Sequence, residues 1–286
     1  MSVPTSLSEL LDLLAARVEQ GQETQLLSGG TDWYVERHLT GLAPEGPLPL
    51  VADVTRVPEM RAICLEGSRL WIGAAATYLE IERSPLVAEA APLLPAMCRD
   101  VGAWQVQARG TLGGNLATGS PAADGVCALA ALDATVVLAS VRGERKVPIG
   151  SYYTGYKRSV RAGDEAVVRF EIAVPAPSAR WVWRKVGTRR AQAISKVALA
   201  GVAEAAGGRL TRLGLGMASV APTVVLLPAV RALGLSRPLA EIADADLEAA
   251  VRADVAPIDD VRSTAAYRRH VASALVRRFF GELRRG

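Results

Sequence analysis

The sequence is short of the side chains that hold metals and carry acid–base chemistry. It has 2 histidines, His38 and His270, and 3 cysteines, Cys64, Cys98 and Cys127, in 286 residues. The cysteines are widely spaced and form no C-x-x-C pair, so neither a zinc ribbon nor a local iron–sulfur motif is written here. They read as reduced, mostly buried thiols of a cytosolic protein. Two histidines give no basis for a Ser/His/Asp triad or a His-rich metal site. Neither G-x-x-x-x-G-K-[ST] nor H-E-x-x-H occurs. Long apolar runs are missing too: no segment approaches the roughly 20 residues of a membrane span. The N-terminal stretch carries Glu9, Asp12 and Glu19 in place of an apolar signal-peptide core. Blocks of one charge are also lacking, because 33 basic and 29 acidic residues, net +4, are spread along the chain. This balance points to solubility and not to a nucleic-acid partner. The expectation is a cytoplasmic protein with no membrane span.

The chain does contain ample apolar material, 50% of residues, enough for two or three cores. Ser6 and Glu9 have capping-box spacing, and Leu7, Leu10, Leu11, Leu14 and Val18 follow at helical period, predicting a helix to about Gln20. Gln25–Leu27 reads as a strand, Ser28–Asp32 as a tight loop into a helix through Trp33 and Val35, and Leu48–Val54 as a second strand. Short strands such as Leu70–Ile72 and Thr135–Leu138 then alternate with helical stretches at Tyr78–Glu82 and Leu93–Val101. Pro175-Ala176-Pro177 closes that region as a linker. Beyond it, Trp181–Trp183, Ala198–Ala203 and Leu210–Leu215 read as strands, the last two joined by a Gly207-Gly208 turn. We expect three or four strands covered by helices on one face, ending in an amphipathic helix whose arginines are solvated.

Gly214-Leu215-Gly216 superficially matches a dinucleotide fingerprint, but the third glycine is missing and Pro222 stands where a helix would begin, so it reads as structural strand. Two other glycine loops are more informative. Leu27-Ser28-Gly29-Gly30-Thr31-Asp32 frees successive backbone amides beside a helix N-terminus, an arrangement that cradles a pyrophosphate without a basic side chain. Residues 111–124 combine Thr111, Gly113, Gly114, Asn115, Ser120 and Asp124, pairing close backbone approach with hydrogen-bonding groups. Asn115 is the single asparagine of the chain, which points to a particular hydrogen bond or to a left-handed turn.

The patterns L-x-G-G-T-D at 27–32 and T-x-G-G-N-x-x-x-x-S-P-x-x-D at 111–124 resemble, in order and separation, the two FAD loops of the flavin subunits of molybdenum hydroxylases. That family includes the medium subunits of xanthine dehydrogenase and carbon monoxide dehydrogenase. Tyr152–Lys157, Asp164-Glu165, Trp183-Arg184-Lys185 and Asp260–Arg269 resemble further segments of such proteins, so the likeness runs along the chain. The resemblance implies a mixed α/β, α+β fold. Two N-terminal α/β FAD-binding subdomains of the PCMH, vanillyl-alcohol-oxidase-like type, residues 1–55 and 56–175, would precede a C-terminal α+β domain, 176–286, with a small antiparallel sheet covered by helices.

The implied cofactor is non-covalent FAD. Leu27 and Ser28 to Asp32, with Thr111, Gly113, Gly114 and Asn115, would hold its pyrophosphate. Ser120 is implied as a further contact, Asp124 as the adenosine-side ligand, and Lys185 as a residue near the flavin end. The backbone at Val167 would touch the cofactor, and Gln105 and Val106 would approach the isoalloxazine. No catalytic side chain is implied, because the flavin carries the redox chemistry. The expected partners are a small [2Fe-2S] subunit and a large molybdopterin subunit, which carry those groups themselves, with NAD or another electron acceptor. Two alternatives stay open: a self-sufficient FAD-dependent oxidoreductase of the same fold, and a flavin-less assembly scaffold.

Overall fold

The computed structural model describes residues 1–40 and 49–285, the side chains of 37–40 excepted. Leu48 and the His38 side chain therefore lie outside the described residues. In the first unit, α1 (Leu7–Glu19) and α2 (Thr31–Thr40) accompany a parallel pair, β1 (Thr24–Leu27) and β2 (Leu50–Asp53), with Leu26 opposite Ala52. Ser6 Oγ accepts the Glu9 amide as predicted. The Glu9 carboxylate turns instead to the Thr5 amide at 2.7 Å, so only half of the capping box forms.

The second unit is a five-stranded antiparallel sheet in the order β3-β4-β9-β5-β6. Its strands are β3 (Ile63–Glu66), β4 (Arg69–Gly73), β5 (Thr135–Ser140), β6 (Gly143–Pro148) and β9 (Ala166–Ala173), and β7 (Tyr153–Gly155) and β8 (Arg158–Ser159) form a small hairpin between β6 and β9. Six short helices run between β4 and β5: α3 (Tyr78–Arg83), α4 (Pro85–Ala90), α5 (Leu93–Cys98), α6 (Trp104–Gln107), α7 (Leu112–Thr118) and α8 (Asp124–Ala131). The predicted helix from Leu93 stops at Cys98, short of Val101. Arg145 holds the approach to β9, donating to Glu165 at 2.5 Å and to the Val160 carbonyl at 2.7 Å.

The third unit is an antiparallel sheet of β10 (Arg180–Val186), β11 (Val197–Ala206) and β12 (Arg209–Ala218). Gly207 and Gly208, with φ of 57° and 74°, make the tight β11–β12 turn that the sequence predicts. Helices α9 (Pro228–Ser236), α10 (Asp244–Asp254) and α11 (Ala265–Arg284) cover one face, where Leu199, Leu215, Phe279 and Phe280 share a core. The expectation of coverage on one face alone is corrected, because α8 of the second unit packs on the opposite face, through Ala198, Ala200 and Ala218. The arginines of α11 are likewise not simply solvated. Arg268 is 4% exposed and donates to the Ser219 carbonyl, and Arg277 pairs with Glu248 at 2.8 Å.

Gly214 and Gly216 are strand residues of β12 with a packing role. A Cβ at Gly216 would stand 2.1 Å from the Cys127 carbonyl oxygen, and one at Gly214 2.0 Å from that of Ala131. Backbone atoms of a buried helix cannot yield that space cheaply. We expect Gly216→Ala to cost about 3 kcal/mol of stability, read as a lower denaturation midpoint in urea. A wild-type midpoint would show that α8 moves away freely.

Candidate functional site

Both glycine loops open on one cavity of about 540 Å³, a size ordinary for small-molecule and cofactor sites. It lies between β1 and α2 on one side and α7, β9 and the Val101–Val106 segment on the other. Leu27, Ser28, Gly29, Gly30, Thr31 and Asp32 line it, as do Thr111, Gly113, Gly114, Asn115, Val106 and Val167. Ser120, Asp124, Lys185 and Gln105 are not on its wall.

The second loop is fixed by backbone pairing and caps. Thr77 closes a full capping box with Glu80 at the start of α3, and the Tyr78 amide donates to the Gly110 carbonyl at 3.0 Å. Leu112 and Gly113 donate in turn to Ala76 and Ala74. Thr111 then caps α7, its Oγ1 accepting the Gly114 amide at 3.0 Å. Asn115 is helical, so its distinction is not a left-handed turn. Its Oδ1 accepts the Val126 amide at 3.2 Å and so caps α8 from outside. Ser120 Oγ accepts the Ala122 amide at 3.2 Å in the turn between α7 and α8.

The missing side chains of the glycines serve close backbone approach, at Gly29 to the lead-in of the second loop and at Gly113 to the residue after β4. A Cβ on Gly29 would sit 2.0 Å from the Arg109 carbonyl oxygen, and one on Gly113 2.5 Å from that of Ala74. Gly30, at φ 75°, adopts a conformation that side-chain-bearing residues rarely take. Thr31, which follows, opens α2, whose first N–H groups have no acceptor within the helix.

Several polar atoms here lack protein partners. The hydroxyls of Thr24, Ser28 and Tyr78 are buried without a hydrogen bond, and all three residues line the cavity. Tyr78 is 3% exposed, and burial, reinforced by the neighbouring Cys98 and Asp124, holds its phenol pKa well above the usual value. It is thus a neutral O–H donor. Nothing in the sequence marks Tyr78 as special, because an unpaired hydroxyl is defined by its surroundings.

Asp124 and Lys185 form one ion pair, Nζ to Oδ2 at 2.5 Å, with side chains 10% and 9% exposed. Lys185 Nζ also donates to the Asp100 carbonyl at 2.8 Å, while Trp183 Nε1 donates to the Asp100 carboxylate at 2.8 Å. Asp124, implied at the adenosine side, and Lys185, implied near the flavin end, are thus brought together at one point. That point adjoins the cavity through Tyr78: a Cβ on the neighbouring Gly125 would lie 3.1 Å from the Tyr78 hydroxyl and 2.7 Å from Asn115 Oδ1. Asp124 Oδ1 is itself buried and unpaired. Among the described residues, no group of three or more His, Cys, Asp or Glu is placed to hold a metal ion, and no helix is long and apolar enough to cross a membrane.

Burial raises the Asp124 pKa to about 6, the neighbouring Lys185 opposing the rise and Asp100 adding to it. The folded carboxyl thus keeps its proton more tightly than an unfolded one near 4. Its stabilising effect is full below about pH 4 and is lost as pH rises through about 6. Asp124→Asn should remove this fall. The wild-type minus variant stability, from urea denaturation across that window, should drop by on the order of 2–3 kcal/mol. A difference that is flat with pH would place the Asp124 pKa at its ordinary value.

Comparison with known proteins matches residues 1–177 to the family described as FAD binding domain in molybdopterin dehydrogenase. Residues 183–283 match the CO dehydrogenase flavoprotein C-terminal domain. The carbon monoxide dehydrogenase medium chain of Hydrogenophaga pseudoflava is 29% identical over 278 residues, covering 96% of this chain and 93% of the relative. The xanthine dehydrogenase FAD-binding subunit of Escherichia coli O157:H7 is 26% identical, covering 97% and 93%. A solved structure of the Hydrogenophaga pseudoflava carbon monoxide dehydrogenase superposes with a TM-score of 0.87 at 28% identity, covering 97% of this chain and 94% of that one.

Proposed function

The chain belongs to the family of FAD-binding subunits of molybdopterin dehydrogenases, and from that premise we propose that it is the flavin-bearing electron-transfer subunit of a multi-subunit oxidoreductase. The observation that carries the placement of the cofactor is the set of buried, unpartnered hydroxyls of Thr24, Ser28 and Tyr78 along a cavity where both glycine loops converge. Unpaired buried hydroxyls cost stability. A polar ligand seated between them offers the missing partners.

The residues fit FAD in character. The Ser28–Thr31 backbone and the start of α2 present N–H groups and the positive end of the helix dipole to a pyrophosphate. The Thr111–Asn115 segment forms the opposing wall. Val167 on β9 offers backbone to a base, and Tyr78 presents a neutral O–H. The Asp124–Lys185 pair, next to Tyr78, is assigned to the same end of the cofactor, with Ser120 supporting the turn that delivers it. FAD supplies the exchange between one- and two-electron transfer; the chain binds it, excludes water and fixes hydrogen bonds around it. Units 1–55, 56–175 and 176–286 act together in this. The expected electron source is a small [2Fe-2S] subunit, itself served by a large molybdopterin subunit. NAD or another acceptor takes the electrons onward, and the site of work is the cytoplasm.

The purified chain should hold non-covalent FAD at one per chain, released by acid and identified by chromatography. Ser28→Ala should weaken FAD binding about tenfold while leaving the stability of the FAD-free chain equal or slightly raised, because an unpaired buried hydroxyl is lost. A colourless chain that also refuses added FAD would favour the scaffold alternative.

A further inference from the structure

Asp32 belongs to the first glycine loop, yet its carboxylate is spoken for by the opposite wall. Thr118, the last residue of α7, donates from Oγ1 to Asp32 Oδ2 at 2.8 Å, a contact between residues 86 apart in sequence. One turn along α2, Glu36 accepts from Lys157 Nζ at 3.0 Å, and Lys157 follows the β7 strand on the same wall. The two contacts share a foundation. Gly119, at φ 63°, lies so close to Lys157 that a Cβ there would stand 3.1 Å from the Lys157 Cα. The end of α7 and the β7–β8 turn thus form one surface, against which the acidic side of α2 is set.

We propose that Asp32 and Thr118 form a latch that holds α2 against the second glycine loop and thereby sets how long FAD stays in the cavity, making Asp32 a positioning residue and not a phosphate ligand. This rests on the FAD reading above. A carboxylate placed against a pyrophosphate would repel it; one engaged by a hydroxyl across the cavity mouth closes the cradle without presenting its charge to the ligand. The latch is also reversible by construction. Thr118 Oγ1 lies 3.0 Å from the Gly114 carbonyl as well. Its single proton, given to the charged acceptor when closed, has a second acceptor in its own helix when α2 swings away. Opening therefore strands no hydroxyl.

The test is the FAD dissociation rate of the full chain, followed by flavin fluorescence, for wild type, Asp32→Ala, Thr118→Val, the double variant and Thr118→Ser. Each single removal should speed dissociation about fivefold. The double variant should be no faster than either single one, as expected for two halves of one contact, and Thr118→Ser should restore the wild-type rate. Melting of the FAD-free chain should be unchanged throughout, which a purely structural role would not allow. Wild-type rates in both single variants, additive effects, or slower release from Asp32→Ala would overturn the latch while leaving the FAD reading intact. A wild-type chain that takes up no FAD overturns both.

Discussion

Helix α8 has no solvent face, and much of the molecule is arranged around that fact. Every residue from Asp124 to Ala131 is buried. A helix surrounded on all sides needs small neighbours for close approach and must settle its N-terminal amides without water. The first need is met by Gly214 and Gly216 on β12, whose hydrogens alone fit against the α8 carbonyls. The second is met by Asn115, which reaches from α7 to the Val126 amide. The same helix thus fastens the C-terminal sheet on one flank and the second glycine loop on another. Cys127 takes part as a small buried group whose Sγ donates to the Gly216 carbonyl at 3.1 Å. Burial drives its thiol pKa far up, so it is inert packing and no nucleophile.

The cavity departs from this close packing. Elsewhere, Arg268 donates both to the Ser219 carbonyl and to Asp260 at 2.6 Å, while its Nε stays unpaired. Along the cavity, hydroxyls are left unpaired at Thr24, Ser28 and Tyr78, and off its wall Asp124 Oδ1 is unpaired too. Single unpaired nitrogens also occur at Arg17, Trp71, Arg169, Arg268 and Arg277, but three unpaired hydroxyls on the wall of one cavity are where ligand chemistry is to be sought. Gly29 refines the point: it lets the first loop touch the Arg109-Gly110 backbone that leads into the second.

Much of the architecture was legible because local chemistry determined it. The Gly207-Gly208 turn and the Ser6 cap follow from backbone geometry that only certain residues permit, and Gly214–Gly216 read as strand because the third glycine is missing and Pro222 stands where a helix would begin. The two glycine loops were legible as a pair, being a long pattern of specific types at fixed spacing. What the sequence withheld was relational. Periodicity tells which face of a strand is apolar, but not that a helix from another unit will cover the second face. Arg268 reads as one more surface arginine until the Ser219 carbonyl, held in a left-handed turn at φ 66°, is seen to need a donor. Asp124 and Lys185 are 61 positions apart, and no spacing rule puts them in contact.

That pair shows how the C-terminal sheet is tied to α8 and is more than an appendage. Lys185 is carried by β10 and Asp124 by α8, so the ion pair exists only when the two units are docked. Each charge alone would be costly to bury, and removing either partner leaves the other uncompensated. Docking of the sheet against α8 thus places a cation against Asp124, next to Gly125, which packs on Tyr78 and Asn115. Ser219 reinforces the junction by donating its amide to the Pro121 carbonyl at 2.8 Å, three residues before Asp124. The segment that delivers Asp124 is therefore held from the C-terminal side, through Ser219 and Arg268, and from the N-terminal side, through Asn115. The Asp124–Lys185 pair, anchored from both directions, therefore keeps its geometry only while the C-terminal sheet stays packed on α8.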